Sequence, residues 1–120
     1  MSNKELLAKW QKRLGLTDWV IDLRDNCVPD DMELPSVAGE CVWQEVNKTA
    51  VIRIIKPECY GERIAPFDFE KTLVHELLHI KFCLLEESGN PLQDRVLHQI
   101  IEDLAKAFVV SEREKKNDKD

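Results

Sequence analysis

The chain has 120 residues with a formal net charge of −6, 43% hydrophobic and 33% charged, which describes one soluble globular domain with room for a core but not for two. The acidic balance argues against nucleic acid or an anionic membrane as partner, because both need clustered Lys and Arg. No apolar run approaches a membrane span and Met1–Glu5 lacks the apolar region of a signal peptide, so the expected compartment is the cytoplasm. Residues 2–14 read as an amphipathic helix, with Ser2 or Asn3 as cap, Leu6, Leu7, Trp10 and Leu14 at helical spacing, and Gly15 as stop. From Trp19 to Arg24 apolar and polar residues alternate as in a half-buried strand, Val20 being the exception. Residues 25–36 carry Pro29, Pro35 and four acidic side chains and read as a surface loop.

Two β-rich runs follow, 37–45 and 49–55, joined by a turn at 46–48. The second, Thr49-Ala50-Val51-Ile52-Arg53-Ile54-Ile55, is the most strand-like run in the chain and stops at Pro57. Residues 56–66 are a connection. A helix then starts at Asp68, whose carboxylate can accept from free N–H groups of the first turn, and runs to about Glu86 with apolar residues on nearly its whole circumference. Residues 87–91 break the pattern. A final helix from Pro91 or Leu92 to about Val110 carries a core stripe of Val96/Leu97, Ile100/Ile101, Leu104 and Phe108, beside a second line of His98, Glu102, Ala105 and Val109. These elements make one domain over residues 1–110, with 111–120 as a charged flexible tail. Cys27, Cys41, Cys59 and Cys83 are widely spaced with no C-x-x-C pair, which predicts free thiols.

The central helix contains His75-Glu76-Leu77-Leu78-His79. Residues four apart share a helix face, so both imidazoles can converge on one ion with Glu76 beside them. The plain alternative is a pair of core histidines, but two histidines and a glutamate in an apolar helix are costly to bury without a compensating partner. Catalytic zinc generally takes three protein ligands, and the final helix offers Glu102 or His98 as the third.

His75-Glu76-Leu77-Leu78-His79 followed by Ile100-Ile101-Glu102-Asp103-Leu104-Ala105 resembles the two-helix core of small gluzincin-type zinc peptidases, the minigluzincin-like proteins of phage and bacteria. The resemblance implies an α+β, zincin-like fold: an N-terminal helix, a small three-stranded, mostly antiparallel sheet, the central H-E-x-x-H helix and a ligand-bearing C-terminal helix. It implies one zinc ion on His75, His79 and Glu102, Glu76 as catalytic base, and a peptide or protein as substrate. The chain departs from the better-known pattern around the third ligand, having no Asn before Glu102 and Ala105 after it. If Glu102 ligates, His98 sits at the cleft edge and can donate to an oxyanion, as can Tyr60 or Arg63. Strand 49–55, read as an edge strand, could hold an extended peptide by strand addition. The expected function is therefore a zinc-dependent metallopeptidase. The alternative is a metal-stabilised regulatory or protein-interaction module of the same fold, with little or no general proteolysis.

Overall fold

Ser2 accepts from the backbone N–H of Glu5 while the Glu5 carboxylate accepts from the N–H of Ser2, a reciprocal cap that starts the first helix, α1 (Asn3–Arg13). The computed structural model describes residues 1–87 and 89–118, the side chains of 117 and 118 excepted. After α1 come β1 (Val20–Cys27), β2 (Gly39–Gln44), β3 (Thr49–Ile55), α2 (Phe69–Lys81), α3 (Cys83–Glu86) and α4 (Pro91–Asp118), an α+β architecture. Ser88 of the expected loop, and Lys119 and Asp120 of the expected tail, lie outside the described residues.

The three strands lie in the order β1-β3-β2. β1 runs parallel to β3, with Leu23 opposite Ile52, and β2 runs antiparallel to it, with Cys41 opposite Ile52. The sheet is thus mixed, which corrects the mostly antiparallel expectation. Its cause is the placement of the most apolar strand: β3, whose Ile52 and Ile54 are fully buried, takes the middle, and the chain passes around it to lay β2 on the far side. Both edges of β3 are therefore occupied, so 49–55 is not an edge strand and cannot accept a further one. The outer edge of β2 carries no strand among the described residues.

α2 packs against β2 and β3 on one side and against α4 on the other. Its Leu73, Val74, Leu77 and Ile80 meet Ala50, Ile52 and Ile54 of the sheet and Leu97, Ile101, Ala105 and Val109 of α4 in one core. Each fully buried Leu or Ile contributes about 1.5–3 kcal/mol, so Leu77→Ala, which also leaves a cavity, would cost about 2–5 kcal/mol.

The inward line of α4 is Leu97, Ile101, Ala105 and Val109: Leu97 and Ile101 belong to the expected stripe, with Leu104 packed beside them, while Ala105 and Val109 come from the neighbouring line. Val96 and Ile100 stand 47% and 43% exposed, and Phe108 also reaches solvent. The helix also continues past Val110 to Asp118, so residues 111–118 are helical where a flexible tail was expected. The reason is ionic. Glu112 is buried against Lys9 and Arg13 of α1, and Arg113 forms a two-pronged bridge to Asp68, at 2.8 and 2.9 Å. All four cysteines are free, and among the described residues no helix is long and apolar enough to cross a membrane.

Candidate metal centre

Asp68 starts α2 by accepting from the backbone N–H of Lys71, and the helix then carries His75 and His79 one turn apart. Their Nε2 atoms face each other at 3.1 Å. Two lone pairs repel at that distance, so a positive charge belongs between them, a proton or a metal ion. Burial, then the neighbouring His79 charge, pushes the His75 pKa down. Burial pulls His79 the same way, but its hydrogen bond to Glu86 and the charges of Glu76 and Glu86 outweigh that and raise it.

The opposite ring nitrogens are held from behind by carboxylates. His75 Nδ1 lies 3.1 Å from Glu102 Oε2, and His79 Nδ1 lies 2.7 Å from Glu86 Oε1. A carboxylate only accepts, so each Nδ1 carries the hydrogen and each Nε2 lone pair is left for the centre. Glu102 Oε1 also meets the Lys71 ammonium at 3.3 Å. Burial would raise the Glu102 pKa, yet the charges of His75 and Lys71 hold it below the usual carboxylate range.

Glu86 reaches His79 because the helix breaks between them. The chain leaves α2 at Phe82, with φ −105° and ψ 17°, and restarts as the single turn of α3. On an unbroken helix, residues seven apart would be about 10 Å apart along the axis. The break brings the Glu86 side chain, only 10% exposed, beneath the His79 ring. Its second oxygen, Oε2, is buried with no hydrogen-bond partner among the described residues. His98 completes this side: its Nδ1 donates to the Asp94 carbonyl at 2.8 Å, its Nε2 lies 3.8 Å from Glu86 Oε1, and its ring centroid is 4.9 Å from that of His79. His79, Glu86 and His98 each offer a ligand atom within 4.8 Å of the others, a group that could bind a metal ion; among the described residues it is the one set of three that does.

Glu76, next to His75 on α2, is 6% exposed. Burial raises its pKa to about 7; the His79 charge opposes the shift, and Glu86, Glu40 and Glu102 reinforce it. Gly39, at the start of β2, lies against it: a Cβ there would sit 2.8 Å from Thr72 Cγ2 and 3.4 Å from Glu76 Oε2. Only a glycine lets the strand approach the helix this closely. Gly39, Tyr60, Lys71, His75, Glu76 and Glu102 line one cleft of about 270 Å³.

Of the residues singled out in the sequence, His75, Glu76, Glu102 and Tyr60 thus share this cleft, while His79 and His98 lie together on the Glu86 side. Tyr60 donates its hydroxyl to the Ala65 carbonyl at 2.9 Å, with the Arg63 guanidinium 4.5 Å from its ring centroid. Cys83 is buried on α3, beyond the break at Phe82. Glu86, Gly39 and Lys71 were not anticipated. A glycine inside a β-rich run is the signal that could have found Gly39.

No family model matches the chain, and no curated protein or solved structure matches it either.

Proposed function

We propose that the protein is a metal-dependent peptidase, zinc being the ion, whose centre is built on His75 and His79 with a third side chain from α4. The observation that carries the reading is the pair of Nε2 atoms 3.1 Å apart, each with its Nδ1 hydrogen already accepted by a carboxylate. The donor set fits such an ion: imidazoles and carboxylates suit zinc, the local charge is in surplus on the acidic side, and the buried Glu86 Oε2 has no hydrogen-bond partner among the described residues. When bound, the ion would supply Lewis acidity, activating a water and polarising a substrate carbonyl.

The remaining work belongs to the chain's own residues. Glu76, with its pKa held near 7, is suited to take a proton from water at neutral pH and return it to the leaving amine. Lys71, at the cleft wall, sets a fixed positive charge near the reacting carbonyl. β2, with its open outer edge and with Gly39 in the cleft lining, takes the place of 49–55 as the strand that an extended peptide can join. The likeness to gluzincin-type zinc peptidases supports this reading through the H-E-x-x-H motif.

The test is cleavage of unfolded protein substrates by zinc-loaded protein, with Glu76→Gln in parallel. Cleavage by the wild type alone is expected; no cleavage by either denies the peptidase reading. One observation favours the metal-stabilised interaction module instead: the Tyr60 hydroxyl is already engaged with Ala65 and is not free to donate to an oxyanion. That module predicts zinc binding without turnover in the same assay.

A further inference from the structure

We infer that the ion is held by three imidazoles, those of His75, His79 and His98, and that Glu102 and Glu86 are positioning residues standing behind the first two. The inference rests on the metal-centre reading above and departs from the expectation that Glu102 is itself a ligand. The three histidines share one pattern. Each has its Nδ1 hydrogen accepted by an oxygen: Glu102 Oε2 for His75, Glu86 Oε1 for His79, and the Asp94 carbonyl for His98. That leaves each ring the same tautomer, with the Nε2 lone pair available to a cation.

Glu102 is placed differently from a ligand. It contacts the side of the His75 ring away from the Nε2 that faces His79, and its other oxygen pairs with the Lys71 ammonium at 3.3 Å, although, like Glu86 Oε2, it is buried with no hydrogen-bond partner among the described residues. A carboxylate in that position fixes the ring's orientation and raises the basicity of the opposite nitrogen, which is how an outer carboxylate strengthens a histidine ligand. Glu86 does the same for His79 and also approaches His98 Nε2 at 3.8 Å. It therefore links the H-E-x-x-H helix to α4. His98 stands with His79 and Glu86 in the group whose ligand atoms lie within 4.8 Å of one another, a group that does not include His75; being half exposed, its ring can turn about its side-chain bonds toward the His75–His79 pair, at the cost of loosening its Nδ1 contact with the Asp94 carbonyl.

The experiment is titration of the metal-free full chain with zinc, read by competition with a chromophoric chelator, and with cobalt(II), read by visible absorption. Glu102→Gln and Glu86→Gln are expected to weaken zinc about 10–100-fold while still binding one equivalent with the wild-type cobalt spectrum. His98→Ala is expected to lose more affinity than either and to change the cobalt spectrum, because a ligand has gone. Circular dichroism of each variant, with Glu86→Ala as a second substitution, separates misfolding from a lost contact. Loss of stoichiometric binding in Glu102→Gln, with wild-type affinity kept in His98→Ala, would overturn the assignment. Wild-type affinity in both Gln variants would overturn the positioning role. A wild type that binds neither metal would overturn the metal-centre reading itself, an outcome distinct from the other two.

Discussion

Two clusters of charge lie along α2, and they are built on opposite terms. Near its start, Asp68, Glu70 and Glu112 meet Lys9, Arg13 and Arg113, three carboxylates against three permanent cations, with Glu70 also accepting from the Trp10 indole at 2.7 Å. Two turns on, Glu76, Glu86 and Glu102 gather around three histidines, and among the described residues the one ammonium in contact with them is Lys71. The first cluster is balanced and needs nothing further. The second holds more negative charge than its fixed cations match, and its histidines can only make up the difference with protons. A balanced cluster ties α1, α2 and α4 together; an unbalanced one built on histidines could hold a cation.

The contrast can be broken at several points, the largest effect coming from the acidic cluster. Glu76→Gln should lower peptide cleavage by about 10²–10⁴-fold with the zinc content unchanged, measured by turnover and metal analysis. Loading the centre should stabilise the fold: at free zinc about a thousand times the dissociation constant the gain is about 4 kcal/mol, seen as a higher melting temperature that a chelator reverses.

The balanced cluster should respond in the other currency. Glu112→Ala leaves Arg13 without its buried acceptor and Lys9 with Glu70 alone, and should cost about 1–3 kcal/mol in denaturant unfolding, with zinc affinity at the wild-type value. Gly39→Ala bears on the seam between strand and helix. The added methyl must displace Thr72 and crowd Glu76, so a cost of about 1–3 kcal/mol should come with reduced cleavage and unchanged zinc content.

The smallest effect is expected at Asp68. The Arg113 hydrogen bond holds its carboxyl below the usual carboxylate range. Its folded pKa is lower than its unfolded one, so the bridge stabilises above the unfolded value and that contribution is lost as pH falls through the folded pKa. Asp68→Asn should therefore trail the wild type by about 1 kcal/mol or less near neutrality, and the gap should close below about pH 4.

How much of this was legible in the sequence varies with the distance over which a residue acts. The spacing of His75, Glu76 and His79 is a helix property, so it could be read locally, as could the Asp68 cap. The rotation of α4 could not. Val96, Ile100 and Phe108 are as apolar as Leu97, Ile101 and Val109 one position along, and only packing against α2 chooses between the two lines. That rotation also sets where His98 and Glu102 lie. Residues 111–118 contain no apolar side chain, and their order comes from ion pairs with α1 and α2, partners up to 99 positions away for Glu112 and Arg13. Glu86 was hidden by the break at Phe82, since an uninterrupted helix would carry it away from His79. The strand order was hidden because each strand pattern shows which face is buried, not which neighbour it takes.

The central claim, that the acidic cluster on α2 is a metal centre, is tested most directly by metal analysis of protein purified without added metal or chelator, beside His75→Ala. The account predicts about one equivalent of zinc per chain in the wild type and a large loss in the variant. A folded wild-type protein that carries no divalent metal, and takes up none when zinc is supplied, would contradict it.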